Sequence, residues 1–138
     1  MQQPSAESHR EISEKRELLA NAMNEQFRKR PDLLQMIGEG NQEMMMGNHR
    51  NHIRFMASLF GDYNPEVLVE TVLWVFRAYL SHGFKQTYWP AQLDTWVEIL
   101  KKELSPACFD EVYPFYDWMI VNNPVFAKLG DETLSAES

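Results

Sequence analysis

Apolar residues recur along this chain at intervals of three and four, and the residues that interrupt them are helix caps and helix breakers. Ser8-His9-Arg10-Glu11 reads as a capping box. It opens a helix carrying Ile12, Leu19, Met23 and Phe27 on one face, with its end near Arg30. Pro31 suits a first helical turn and starts a short helix through Leu33, Leu34 and Ile37, which Gly38 and Gly40 break. Asn41 then caps a helix from Gln42 to Phe60 whose inward face holds Met45, His49, His52, Met56 and Phe60. Gly61 is its stop signal.

Asn64-Pro65 is a cap followed by a first-turn proline, and the helix it opens should end at Gly83. This helix is apolar nearly all round, from Val67 through Leu80. A helix without a polar face belongs inside a protein, so it is expected to be the central element. Pro90 begins a further helix with a stripe of Leu93, Trp96, Val97, Leu100 and Leu104. Ser105-Pro106 opens the last one, which carries Phe109, Val112, Tyr113, Tyr116 and Ile120. Pro114 should kink or split that helix, and Pro124 should end it. Strand signals are weak throughout. The expected fold is all-α, with about six helices around one buried helix. A single domain should cover residues 1–129, followed by a disordered acidic tail at 130–138.

Composition narrows the class. The formal net charge of -7 disfavours a phosphate backbone as partner, so no nucleic acid is expected. The basic clusters, Arg28-Lys29-Arg30 and His49-Arg50 with Arg54, fall on predicted helices and read as solvated faces. A single cysteine, Cys108, permits no internal disulfide, and it reads as a small buried residue. The longest apolar run, Val67 to Leu80, contains Glu70 and Arg77 and is too short to span a bilayer, so no membrane association and a cytoplasmic location are expected. The polar N-terminus does not read as a signal peptide.

Chemistry-bearing residues are few. All four tryptophans lie between Trp74 and Trp118, with eight further rings among them. That excess means a bulky core, a pocket or a docking face. Tyr79, Trp89, Tyr113 and Tyr116, with Tyr88, are candidates for the walls of a pocket with polar handles. His49 and His52 are three apart on one helix face and can share a ligand. Glu70 and Arg77 are expected to be buried charges that pair within the fold or meet a ligand or a second subunit. The methionines around Met44-Met45-Met46 suit core filling or an adaptable face. No catalytic triad, phosphate loop or paired-carboxylate motif is present, and no metal site is expected.

The segment Phe76-Arg77-Ala78-Tyr79-Leu80-Ser81-His82-Gly83-Phe84, then Tyr88-Trp89 and the stripe to Leu104, resembles one part of the sensor globins. Those domains have a helix ending in a glycine–apolar pair, a short aromatic turn and a long amphipathic helix. In haem-binding members the proximal histidine lies about four residues before that glycine. Here Tyr79 holds that position and His82 adjoins Gly83. The departure makes the chain more similar to the non-haem globin domains of bacterial stressosome proteins, which dimerise and act as signal-input modules. The resemblance implies a globin-like arrangement, a homodimer and a signalling protein partner, and the stripe from Leu93 to Leu104 with the rings of the last helix, more than one central helix can cover, places that dimer on the last two helices. The function expected is a non-catalytic sensory or regulatory domain acting through protein interaction or a small ligand. One alternative binds haem or another tetrapyrrole, cobalamin included, through His82, Tyr79, His49 and His52. The other is a small metal-dependent enzyme using His49, His52 and an acid from another helix.

Overall fold

The computed structural model describes the backbone of residues 1–137 and the side chains through residue 130. The tail expected at 130–138 lies almost wholly outside the described side chains. Among the described residues the chain forms helices and no strand. They are α1 (Ala6–Glu14), α2 (Arg16–Arg28), α3 (Leu33–Ile37), α4 (Gln42–Gly61), α5 (Pro65–Leu80), α6 (Tyr88–Glu103) and α7 (Pro106–Glu137). The fold is therefore all-α, as the periodicity predicts, and no described helix is long and apolar enough to cross a membrane.

Local chemistry explains most boundaries. Ser5, not Ser8, caps α1, its hydroxyl accepting from the Ser8 amide at 3.1 Å. Ser8 is buried instead, and its hydroxyl donates to Glu111. The single helix expected up to Arg30 breaks at Lys15, whose ammonium donates to the Glu103 carbonyl at 2.7 Å. Two carboxylates bind α1 to the start of α7 in opposite directions. Glu111 accepts from the Ser5 amide at 2.7 Å, and Glu11 accepts from the Ser105 amide and hydroxyl, both at 2.7 Å. Each carboxylate thereby satisfies orphan donors at the other helix's N-terminus.

Asn64 caps α5 as expected, accepting from Glu66 and Val67. Asn41 does not cap α4. Its amide donates to the Ile37 and His82 carbonyls, both at 2.7 Å, tying the end of α3 to the end of α5. Gly83 leaves α5 at φ 94°, a conformation that only glycine adopts readily. Gly61 serves a different need: a Cβ there would lie 2.8 Å from the His9 ring. Pro114 and Pro124 neither split nor end α7, which runs through both. Each forfeits one hydrogen bond to the preceding turn.

The largest correction concerns the centre of the molecule. The apolar helix α5 lies at the surface. It buries only Leu68, Phe76 and Tyr79, and leaves Val67, Val69 and Trp74 exposed. Glu70 is likewise exposed and Arg77 only half-buried, so neither is a buried charge. The central place goes to α4, which packs against α1 and α2 and reaches α6 and α7 through its side chains. Its buried face includes Met45, Asn48, His49, Ile53, Met56 and Phe60. Direction decided this, not hydrophobic content: α4 aims its apolar and polar groups at partners on four helices, whereas α5 packs one side against α7.

Candidate functional site

Where α4 crosses α6, the core is polar. His49 is fully buried, and its Nδ1 sits 2.7 Å from the Asn24 side-chain oxygen on α2. Its Nε2 sits 3.0 Å from the Tyr88 hydroxyl on α6. The Tyr88 hydroxyl donates to the Asn48 side-chain oxygen at 2.9 Å, and that oxygen also accepts from the Gln92 amide at 3.0 Å. Five buried polar side chains from three helices thus lie within hydrogen-bond distance of one another in the core. Burial first, then the neighbouring His52 and Arg50, pushes the His49 ring down to about 3. Burial raises Tyr88 well above its ordinary value.

One turn along α4, His52 repeats the theme. Its Nε2 lies 2.7 Å from the Tyr116 hydroxyl of α7, and its ring stacks on Trp96 with centroids 4.8 Å apart. Burial pushes His52 down to about 3 as well and raises Tyr116. The other ring nitrogen of His52 makes no hydrogen bond among the described residues.

Beside His52 the interior opens into a cavity of about 220 Å³. Its apolar wall is Phe55, Met56, Val72, Trp74, Val75, Phe76, Leu93 and Met119, drawn from α4, α5, α6 and α7. Its polar groups are Asn48, Asn51, His52, Thr71, Tyr79 and Gln92. Trp89 completes it, stacked on Phe76 at 4.5 Å and set edge-on to Tyr79 at 5.9 Å. Trp89 is only 3% exposed, yet its indole Nε1 has no hydrogen-bond partner among the described residues. A buried donor without an acceptor costs roughly 1–3 kcal/mol. Trp89 is one of the residues that line the cavity, and the indole of Trp96 is likewise buried without a partner among the described residues.

The residues singled out in the sequence divide accordingly. His52, Tyr79 and Trp89 line the cavity. His49 and Tyr116 stand behind it as partners in the polar network. Tyr113 does not join them: it is 39% exposed, its ring beside Phe109. His82 is exposed at the end of α5, with Nδ1 2.8 Å from the Ala78 carbonyl, and lies outside the cavity. The four groups proposed as axial contacts for a tetrapyrrole therefore do not converge. The cavity is also smaller than the ~300–1,000 Å³ pockets of drug-sized ligands, and a four-pyrrole macrocycle does not fit it. No carboxylate joins the two histidines, and no set of three metal-ligating side chains gathers among the described residues.

Sequence reasoning missed Asn24, Asn48 and Gln92. Asn24 carried a signal, because it lies one residue from Met23 and three from Phe27 on an otherwise apolar face. Asn48 and Gln92 adjoin His49 and Leu93, and only the crossing of α4 and α6 gives them a shared purpose. Of the methionines, Met36, Met45, Met56 and Met119 are buried as core filling, and Met44 and Met46 are half-buried at its edge. Cys108 is buried too, with burial raising its thiol. No family model, no curated protein and no solved structure matches this chain.

Proposed function

We propose that this chain is a non-catalytic sensory or regulatory domain that takes up a small, largely apolar ligand in the cavity between α4 and α5. The observation that carries the reading is the unpartnered Trp89 indole in the wall of that cavity. An engineered apolar cavity of about 150 Å³ takes up benzene. A space of about 220 Å³ accordingly suits one ring with a small substituent. The ligand class is a monocyclic aromatic or similar molecule bearing one hydrogen-bond acceptor, received by Trp89 Nε1 and oriented by His52. Held neutral by burial, His52 makes its contact without a charge to desolvate. Signalling would follow from repacking α5, which forms one wall and is the least buried of the helices around the cavity. The remaining parts of the reading, a globin-like arrangement, a homodimer, a signalling protein partner and a cytoplasmic setting, rest on the sensor-globin resemblance.

Calorimetric titration with phenol and with toluene tests the reading. Phenol should bind with a dissociation constant of about 0.1–1 mM, within the range that ligand efficiency allows for seven heavy atoms. Trp89→Phe removes the donor together with part of the ring, so it should weaken phenol about tenfold more than it weakens toluene. Absence of heat for both probes at millimolar concentration, with no change in tryptophan fluorescence, would refute the cavity as a ligand site.

A further inference from the structure

The outward side of α5 carries a pattern that its burial does not explain. Val67, Glu70, Trp74 and Arg77 follow one another at steps of three, four and three, which sets them along a single stripe of the helix. Trp74 is 61% exposed and Val67 43% exposed. The largest ring type in the chain thus faces outward from a helix that is apolar elsewhere. Glu70 and Arg77 flank it, and among the described residues neither side chain has an ion pair or a hydrogen bond. The stem of Arg77 packs over Gly130 of α7, which fixes where its guanidinium starts.

We infer that this stripe is a contact surface for a second copy of the same chain, with the two α5 helices antiparallel across a two-fold axis between Leu73 and Trp74. The charges select that occupant. Glu70 and Arg77 are opposite in sign and placed symmetrically about the axis, about 10.5 Å apart along the helix. Antiparallel docking sets Glu70 of each copy against Arg77 of the other, twice by symmetry. It also sets Trp74 against Leu73 of the other copy. Parallel docking would oppose Glu70 to Glu70 and Arg77 to Arg77. A two-fold interface must be complementary to itself, and a stripe with one charge of each sign at mirrored positions meets that condition. A centrally placed tryptophan rimmed by charges is also the composition in which interface energy concentrates. This surface rests on the homodimer in the functional reading above; it shares Trp74 with the rim of the cavity but does not need the cavity to be occupied.

Sedimentation equilibrium at low salt, from about 10 µM to 1 mM, provides the test. The wild-type chain should dimerise. Glu70→Arg should weaken the dimer about tenfold or more, because two arginines then meet at each end, and Arg77→Glu should do the same with two glutamates. Mixing the two single variants should restore dimers, since the copy with two arginines on its stripe then faces the copy with two glutamates. The double variant E70R/R77E should dimerise by itself. Circular dichroism checks that each variant stays helical. A dimer that persists in both single variants keeps the homodimer and overturns this surface. Weakened single variants that fail to associate when mixed also overturn it. A wild-type chain that stays monomeric over the whole range removes the homodimer and the surface together, and leaves the ligand cavity untouched.

Discussion

Helices α4 and α5 exchange the places that their compositions suggest. Between Gln42 and Gly61, α4 carries two histidines, two asparagines and two arginines, yet it runs through the middle of the fold. Between Pro65 and Leu80, α5 is mostly Val, Leu and aromatic residues, yet three of its large apolar side chains stand exposed. On α4 the buried polar groups are paired, His49 with Asn24 and Tyr88 and Asn48 with Tyr88 and Gln92, and half-buried His52 is paired with Tyr116. On α5 the outward groups Val67, Glu70 and Trp74 stand exposed, and among the described residues the Glu70 side chain has no ion pair or hydrogen bond. The cost of burying a polar group falls away once its partners are built in. An apolar side chain gains nothing from being on a hydrophobic helix unless another element covers it.

The sharpest break in that comparison is His49→Ala. It should cost about 4 kcal/mol, because it opens a cavity in the core and leaves Asn24 and Tyr88 without their shared partner. Urea unfolding followed by circular dichroism measures it. A loss below about 1 kcal/mol would mean that the network does not hold α4 in place.

Acid should act on the same helix. His49 and His52 are held at about 3 when folded, against 6.5 for a free histidine. The unfolded chain therefore binds protons first as the pH falls. Stability from these groups is fully present above pH 6.5 and is lost progressively from there down to about 3. The slope should approach about 1.4 kcal/mol per pH unit for each histidine. Urea midpoints at about pH 7 and about pH 5 should differ accordingly, and His49→Gln should remove about half of the difference. Equal midpoints would show that the two rings are not held neutral in the folded chain.

The smallest effect is expected on α5. Trp74→Ser removes the most exposed of the chain's large rings and should change folding stability by less than about 1 kcal/mol in the same assay. A larger loss would place Trp74 in the core and return α5 toward the central role that its composition suggests.

The candidate site was partly legible in the chain. Histidines three apart, the Tyr79–Trp89 cluster and Tyr116 were visible as chemistry-bearing residues, and His52, Tyr79 and Trp89 do line one cavity. Tyr113 and His82 were expected there because they neighbour these residues in sequence. One is turned to solvent, and the other closes a helix end through Ala78. Helical phase explains Tyr113: it lies three residues before Tyr116, and small differences in direction on α7 separate a buried ring from an exposed one.

What the sequence determined by itself was local: helix everywhere, and the cap at Asn64. It could do so because capping and periodicity act over a few residues and need no partner from far along the chain. Only the tertiary structure decided that α4 is central, that α7 passes through two prolines, and that Glu111 and Glu11 close each other's helices. It also decided that Trp89 is left with a donor facing no acceptor. Those outcomes depend on which helix covers which face, and that is set by the sum of many contacts between segments tens of residues apart.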